Sequence, residues 1–258
     1  MFDKLGLQLY TVRNFMSTEE DMEKTVERLV GMGYTVGQSA GYESENMAKI
    51  MKKYGMTIAG THFNFEKIIN EPDQTMKLHE LLGTTNIGVG AMPAPGRTSQ
   101  EGLEEFVRTY NKVAPIYAKN GFRLTYHNHS FEFASHNGKQ TMFEYMMENF
   151  DPNISFVLDT CWAANAGADV CDMIEKLQGR LDILHLKDIK TVMEDSWATK
   201  QVMCEIGNGV INWKKILKTA EDTGVKYIVV EQDNFWTDEN PFKSLEISRD
   251  YLKKYINI

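Results

Sequence analysis

The stretch Phe122–Phe133, FRLTYHNHSFEF, concentrates side chains that can do chemistry. Phe122, Leu124 and Tyr126 read as a buried strand. His127 and His129 follow one residue apart, and Glu132 closes the segment. Side chains at i and i+2 of an extended chain point to the same side, so a strand can aim both imidazoles into one cavity. Such a pair suits metal ligation or proton transfer, provided other segments supply partners.

The elements that must position them recur along the chain. Eight short apolar runs read as strands: Leu5–Tyr10, Thr35–Ala40, Thr57–His62, Thr85–Gly90, Leu124–Asn128, Ser155–Asp159, Asp182–Leu186 and Tyr227–Gln232. Each is followed by a segment with helical periodicity. Ser17 with Glu20 and Thr98 with Glu101 have capping-box spacing. Pro115 predicts a kink or an end to the second of these helices. Asp169 is placed to cap a helix over Met173, Ile174 and Leu177, and Asn240–Pro241 is an N-cap and first-turn pair. Ile189–Val210 reads as a long, turn-rich loop, of a length that is often functional. Strands apolar without strict alternation are covered on both faces and hence parallel. Eight of them alternating with helices predict an α/β protein, a (β/α)8 TIM barrel formed by residues 1–258 as a single domain. No G-x-G-x-x-G follows the first strand to favour a doubly wound sheet.

Composition narrows the function. The chain has 258 residues, 42% hydrophobic and 25% charged, with a net charge of −8. An acidic surface argues against nucleic acid as a partner. No run approaches the ~20 apolar residues of a membrane span, and no signal pattern opens the chain. Cys161, Cys171 and Cys204 form no C-x-x-C and no even set, which fits a reducing cytoplasm. A homo-oligomer is left open.

In a (β/α)8 barrel, chemistry belongs to the C-terminal strand ends. The last four such ends carry His127, Asp159, His185 and Glu231. Two imidazoles and two carboxylates suit one divalent ion, Mn²⁺, Co²⁺ or Zn²⁺ rather than Mg²⁺ or Ca²⁺. Each residue also has a plainer reading: Asp159 could cap the next helix, and Lys187 could pair with Glu231 as a structural ion pair. His79 and His136 read as surface or helix residues without a role.

Several motifs together resemble the sugar phosphate isomerase/epimerase family, the xylose-isomerase-like TIM barrels. They are L-G-L-Q-L-Y-T-V-R (5–13), G-T-H (60–62), Y-H-N-H-S-F-E-F (126–133), V-L-D-T (157–160), H-L-K-D (185–188), E-I-G-N-G (205–209) and V-E-Q-D (230–233). The resemblance implies a divalent ion held by strands five to eight, at His127, Asp159, His185 and Glu231. This chain departs from it at His127 and Gln38, where similar sequences often carry Glu. In the family's epimerases the strand-five Glu is also one of two acid/base carboxylates. The expected substrate is a small carbohydrate, and the leading expectation is an isomerase or epimerase of a sugar, ketose or cyclitol acting through an enediolate. The alternatives are a lyase or dehydratase resembling inosose dehydratases, and a non-catalytic sugar-binding barrel. A nuclease resembling endonuclease IV would need more His and carboxylate ligands. The expected acid/base groups are His129, Glu231 and Glu132, the last with a pKa raised by its apolar flanks. Gln8, His62, Lys187, Trp162 and Glu205 are expected at substrate; Trp197, Phe235 and Trp236 offer further aromatic faces.

Overall fold

The computed structural model describes residues 2–258. Eight parallel strands close into a barrel: β1 (Leu5–Gln8), β2 (Tyr34–Ala40), β3 (Thr57–His62), β4 (Asn86–Val89), β5 (Arg123–His127), β6 (Ile154–Asp159), β7 (Leu181–Leu186) and β8 (Tyr227–Val230). Neighbours in sequence are neighbours in the barrel, and β1 pairs with β8 to close it, Gly6 opposite Val229. Eight longer helices cover the outside: α1 (Glu19–Gly31), α2 (Glu45–Tyr54), α3 (Pro72–Leu82), α4 (Gln100–Lys119), α5 (Met142–Asn149), α6 (Val170–Lys176), α7 (Trp213–Thr223) and α8 (Pro241–Leu252). This is the (β/α)8 architecture the strand count predicts. None of the described helices is long and apolar enough to cross a membrane.

Two apolar layers hold it. The larger lies between strands and helices, where one stripe of each helix packs, such as Leu103, Phe106, Val107 and Tyr110 of α4. The smaller fills the barrel interior with Val36, Ala59, Val157, Ile183 and Val229. Strand periodicity then dictates what lies above this floor. Two residues beyond Val36, Val157, Ile183 and Val229 stand Gln38, Asp159, His185 and Glu231, all buried. The same alternation carries β5 from Thr125 to His127.

Local differences from the sequence reading have physical reasons. The caps of α1 and α4 are Thr18 and Ser99, whose hydroxyls accept from the backbone N–H of Asp21 and Gly102, one residue later than Ser17 and Thr98. Adjacent hydroxyl residues compete for a cap. Helix α4 continues through Pro115, because Val113, Ala114 and Tyr117 keep its apolar stripe buried on both sides of the missing hydrogen bond. The first strand ends at Gln8, and Leu9–Phe15 forms a 3-10 turn. The expected loop 189–210 contains an antiparallel hairpin, Asp188–Met193 paired with Thr199–Cys204. His79 and His136 are both buried rather than at the surface. His79 bridges Thr61 Oγ1 and the Thr75 carbonyl from within α3. The three cysteines are buried and unpaired.

Candidate metal centre and active site

Where the strands end, His127, Asp159, His185 and Glu231 each present a ligand atom within 4.8 Å of the others, and all four are buried. Second contacts fix how the imidazoles face. His127 Nδ1 donates to the Gly90 carbonyl at 3.0 Å, which leaves Nε2 bare and 3.5 Å from Asp159 Oδ2. A Cβ on Gly90 would press against the His62 ring at 3.1–3.2 Å. His185 Nε2 donates to Gln38 Oε1, so its Nδ1 faces Glu231 Oε2 at 3.0 Å and Asp159 Oδ2 at 3.8 Å. Such outer contacts set the tautomer of a ligating histidine.

Asp159 uses its two oxygens differently. Oδ1 accepts from Trp162 N and caps the short helix Thr160–Asn165. Oδ2 has no hydrogen bond among the described residues, and neither has His127 Nε2. Capping and ligation are therefore compatible in one carboxylate. A buried anion with a bare oxygen beside a bare imidazole nitrogen is the environment a cation satisfies. The donor set of two nitrogens and two carboxylate oxygens fits one divalent transition ion.

Lys187, almost fully buried, reaches the same carboxylate oxygens that face the two imidazoles. Its Nζ is 3.4 Å from Asp159 Oδ2, 3.1 Å from Glu231 Oε2 and 2.8 Å from Asp233 Oδ2. Burial is the largest influence and opposes every charge here, but the Lys187 ammonium together with His127 and His185 outweighs it and holds Asp159 and Glu231 well below the carboxylate range. For Lys187 the same carboxylates overcome burial and raise its pKa. Burial likewise works against charging His185, yet Glu231 and Asp159 raise it. Asp233 is raised, by burial and by the nearby Glu231 charge.

A cavity of about 340 Å³ opens over this cluster, lined among others by Tyr10, His62, His127, His129, Lys187, Glu231 and Asp233. Burial and the neighbouring His127 depress His129 to about 3, so its imidazole is neutral. Its ring stacks on Phe131 at 5.6 Å and leans towards Trp162. His62 is held low by burial and by the His127 and His185 rings, and its Nε2 has no partner among the described residues. Gln8 Nε2 approaches His62 Nδ1 at 3.4 Å.

The remaining expected site residues sit elsewhere. Glu132 is fully buried behind His129 and is not among the cavity-lining residues; it accepts from Tyr126 Oη at 2.6 Å and His129 N at 2.7 Å. Burial lifts its pKa to about 8 against those two hydrogen bonds. Glu205 anchors loops, accepting from Thr237, Ser244 and Asn208, whose hydrogen bonds overcome burial and lower it to about 2. Trp162 lies 5.1 Å from Lys187 Nζ, beside the cavity rather than lining it. Trp197 is 93% exposed at the hairpin tip, away from the cavity. Sequence reasoning gave no role to Asp233, which follows Glu231 by two, nor to Gln38 as the partner of His185. Strand periodicity could have found Gln38, which stands two residues beyond the interior Val36.

Three comparisons bear on this arrangement. The sequence family described as xylose isomerase-like TIM barrel matches residues 24–255. The inosose dehydratase of Geobacillus thermodenitrificans is 24% identical over 92% of this chain and 90% of its own. Among solved structures, a sugar phosphate isomerase/epimerase from Parabacteroides distasonis superposes with a TM-score of 0.77 at 24% identity, covering 99% of this chain and 95% of that one. A probable 3-DHS dehydratase from Bacillus anthracis gives 0.72 at 18% identity, covering 97% and 98%. With a family match over most of its length and the closed barrel to go with it, this chain belongs to the xylose isomerase-like TIM barrel family.

Proposed function

We propose that the chain is a divalent-metal-dependent lyase of the dehydratase type, acting on a ring-shaped keto-sugar, keto-cyclitol or keto-glycoside. His127, Asp159, His185 and Glu231 would hold the ion. When bound, it would polarise the substrate carbonyl and acidify the neighbouring C–H.

The observation that carries the choice of lyase is the state of the acid/base groups around the cavity. Both carboxylates that line it, Glu231 and Asp233, are tied to Lys187. His127 stands where a second carboxylate would serve an epimerase. That leaves two neutral imidazoles on the cavity wall, and of these His129 is assigned the proton transfer, because the Nδ1 of His62 is approached by Gln8. Epimerisation returns the proton to the other face, which calls for a group on each side of the ring, whereas elimination or isomerisation on one face needs a single base. The reaction class of the named relatives favours elimination between those two. His129 takes the proton from the carbon next to the carbonyl, and that C–H pair becomes the new C=C bond. The bond to the oxygen on the following carbon breaks, and the departing oxygen takes the proton back from His129. The products are a conjugated enone and water, or an alcohol from a glycoside. Lys187 and His62, which line the cavity, orient substrate oxygens. The names of relatives such as the inosose dehydratase agree in reaction class.

The test follows metal-loaded protein with keto-cyclitols and 3-keto-glycosides in D2O by NMR and ultraviolet absorption. An enone with release of water or alcohol is expected. His129→Ala should lower kcat/KM by about 10²–10⁴-fold while metal content is kept. A deuterated isomer retaining all its oxygens would establish the isomerase reading instead. No reaction in metal-replete protein would point to a sugar-binding barrel.

A further inference from the structure

Beside the catalytic cavity lies a larger cleft of about 830 Å³, lined by Lys190, Val192, Lys200, Val202, Phe235, Trp236 and Glu239. One side belongs to the hairpin 188–204. In its antiparallel ladder Lys190 faces Val202 and Val192 faces Lys200, so these four share one face in a checkerboard of ammonium and isopropyl groups. Lys200 pairs with Glu194 at 3.2 Å, whereas Lys190 has no ion pair among the described residues. The other side is the loop after β8. There Phe235, Asp238 and Glu239 all hold φ between +53° and +55°, a left-handed conformation that bulky residues adopt rarely. Trp236 Nε1 is tied to the Gln232 carbonyl at 2.9 Å, while Phe235 remains 59% exposed. A strained loop that presents an aromatic ring to solvent, facing aliphatic and cationic groups, has the make-up of a ligand wall.

The cleft and the catalytic cavity share a partition. The Arg13 guanidinium lies 4.3 Å from the centre of the Tyr10 ring, which lines the catalytic cavity, and 5.4 Å from Trp236, which lines the cleft. Arg13 also donates to the Asp233 carbonyl at 2.8 Å. The catalytic cavity and the cleft therefore lie on either side of one wall built by Tyr10, Arg13 and Trp236, so a ligand reaching over that wall would touch both.

We propose that this cleft is a subsite for a second ring attached to the reacting keto-ring, so that the substrate is a two-ring glycoside rather than a free monosaccharide. The ring lies against Phe235 and Trp236, and its polar edge meets Lys190 and Lys200. A sugar ring and an aromatic aglycone share this chemistry, a flat apolar face with oxygen at the rim. The proposal rests on the lyase reading only for the identity of the reacting ring.

Binding tests it without turnover. The indole N–H signals of the four tryptophans are followed by NMR in metal-loaded protein titrated with glucose, cellobiose or phenyl β-glucoside. At least one of the two-ring ligands should shift Trp236 and leave buried Trp213 unmoved, whereas glucose should not move Trp236. Phe235→Ala and Lys190→Ala should each weaken that response by about tenfold. A response to cellobiose identifies a sugar as the second ring, and a response to phenyl β-glucoside alone identifies an aromatic one. No Trp236 shift with either ligand, or an equal shift with glucose, overturns the subsite. Failure of keto-glycoside turnover with the Trp236 shift intact would overturn the lyase reading and leave the subsite standing.

Discussion

Asp159 and Asp188 are both fully buried aspartates in the upper half of the barrel, yet they do opposite things. Asp188 is saturated: Oδ1 accepts from Ile189 N, and Oδ2 accepts from Gly207 N, Gly209 N and Trp213 Nε1. The E-I-G-N-G turn is wrapped around it. Gly207 holds φ +92°, and a Cβ on Gly209 would stand 2.1 Å from the carboxylate. Asp159 has the same burial, but its Oδ2 accepts no hydrogen bond: it meets the Lys187 ammonium at 3.4 Å and stands beside the unbonded His127 Nε2. A buried carboxylate with every oxygen answered is holding the fold together, whereas one left half-answered among other ligand atoms is waiting for something to bind.

That contrast can be broken by mutation. The largest effect is expected at Lys187, the cation that compensates Asp159, Glu231 and Asp233. Lys187→Met should cost about 3–5 kcal/mol in metal-free protein, because it strands buried charges. Added Mn²⁺, Co²⁺ or Zn²⁺ should recover much of this in thermal unfolding; a loss that metal leaves untouched would mean the ion does not share those carboxylates. Asp188→Asn comes next. Its amide would turn a donor towards backbone donors, at a cost of about 2–4 kcal/mol, and metal should give no recovery beyond that seen in wild type. Equal rescue of both variants would erase the distinction between the two aspartates.

The most pH-dependent effect belongs to Glu132. Its folded pKa of about 8 lies above the ordinary 4.5, so the folded state binds a proton the unfolded chain has released. The stabilisation is full below pH 4.5 and is lost as pH rises through 8. Wild-type Tm should therefore fall between pH 5 and 8 by more than that of Glu132→Gln. Parallel curves would show that Glu132 does not carry this proton.

Much of this was legible in the sequence. Barrel strands announced themselves as apolar runs, and the residues that end four of them are ligand types standing on the inward side. Period-two alternation makes that layer readable, since Val157 and Ile183 fix which way Asp159 and His185 point. What stayed hidden depends on partners distant in the chain. Glu132 lies close to His129 in sequence and was expected in the cavity, but its two oxygens turn away to Tyr126 and a backbone N–H. Asp188 sits in the same H-L-K-D motif as His185 and Lys187, and only the position of Gly207 and Gly209 around it reveals a structural role. The hairpin that builds the second cleft was obscured by lysines and threonines in its strands, which lack a one-sided apolar pattern.

The central claim is that His127, Asp159, His185 and Glu231 form one metal site. The most direct measurement is metal content by ICP-MS on wild type and Glu231→Gln after incubation with Mn²⁺, Co²⁺ or Zn²⁺ and removal of free ion. About one ion per chain is expected in wild type, with its loss in the variant. No bound ion in wild type, or an ion held equally well by Glu231→Gln, would contradict it.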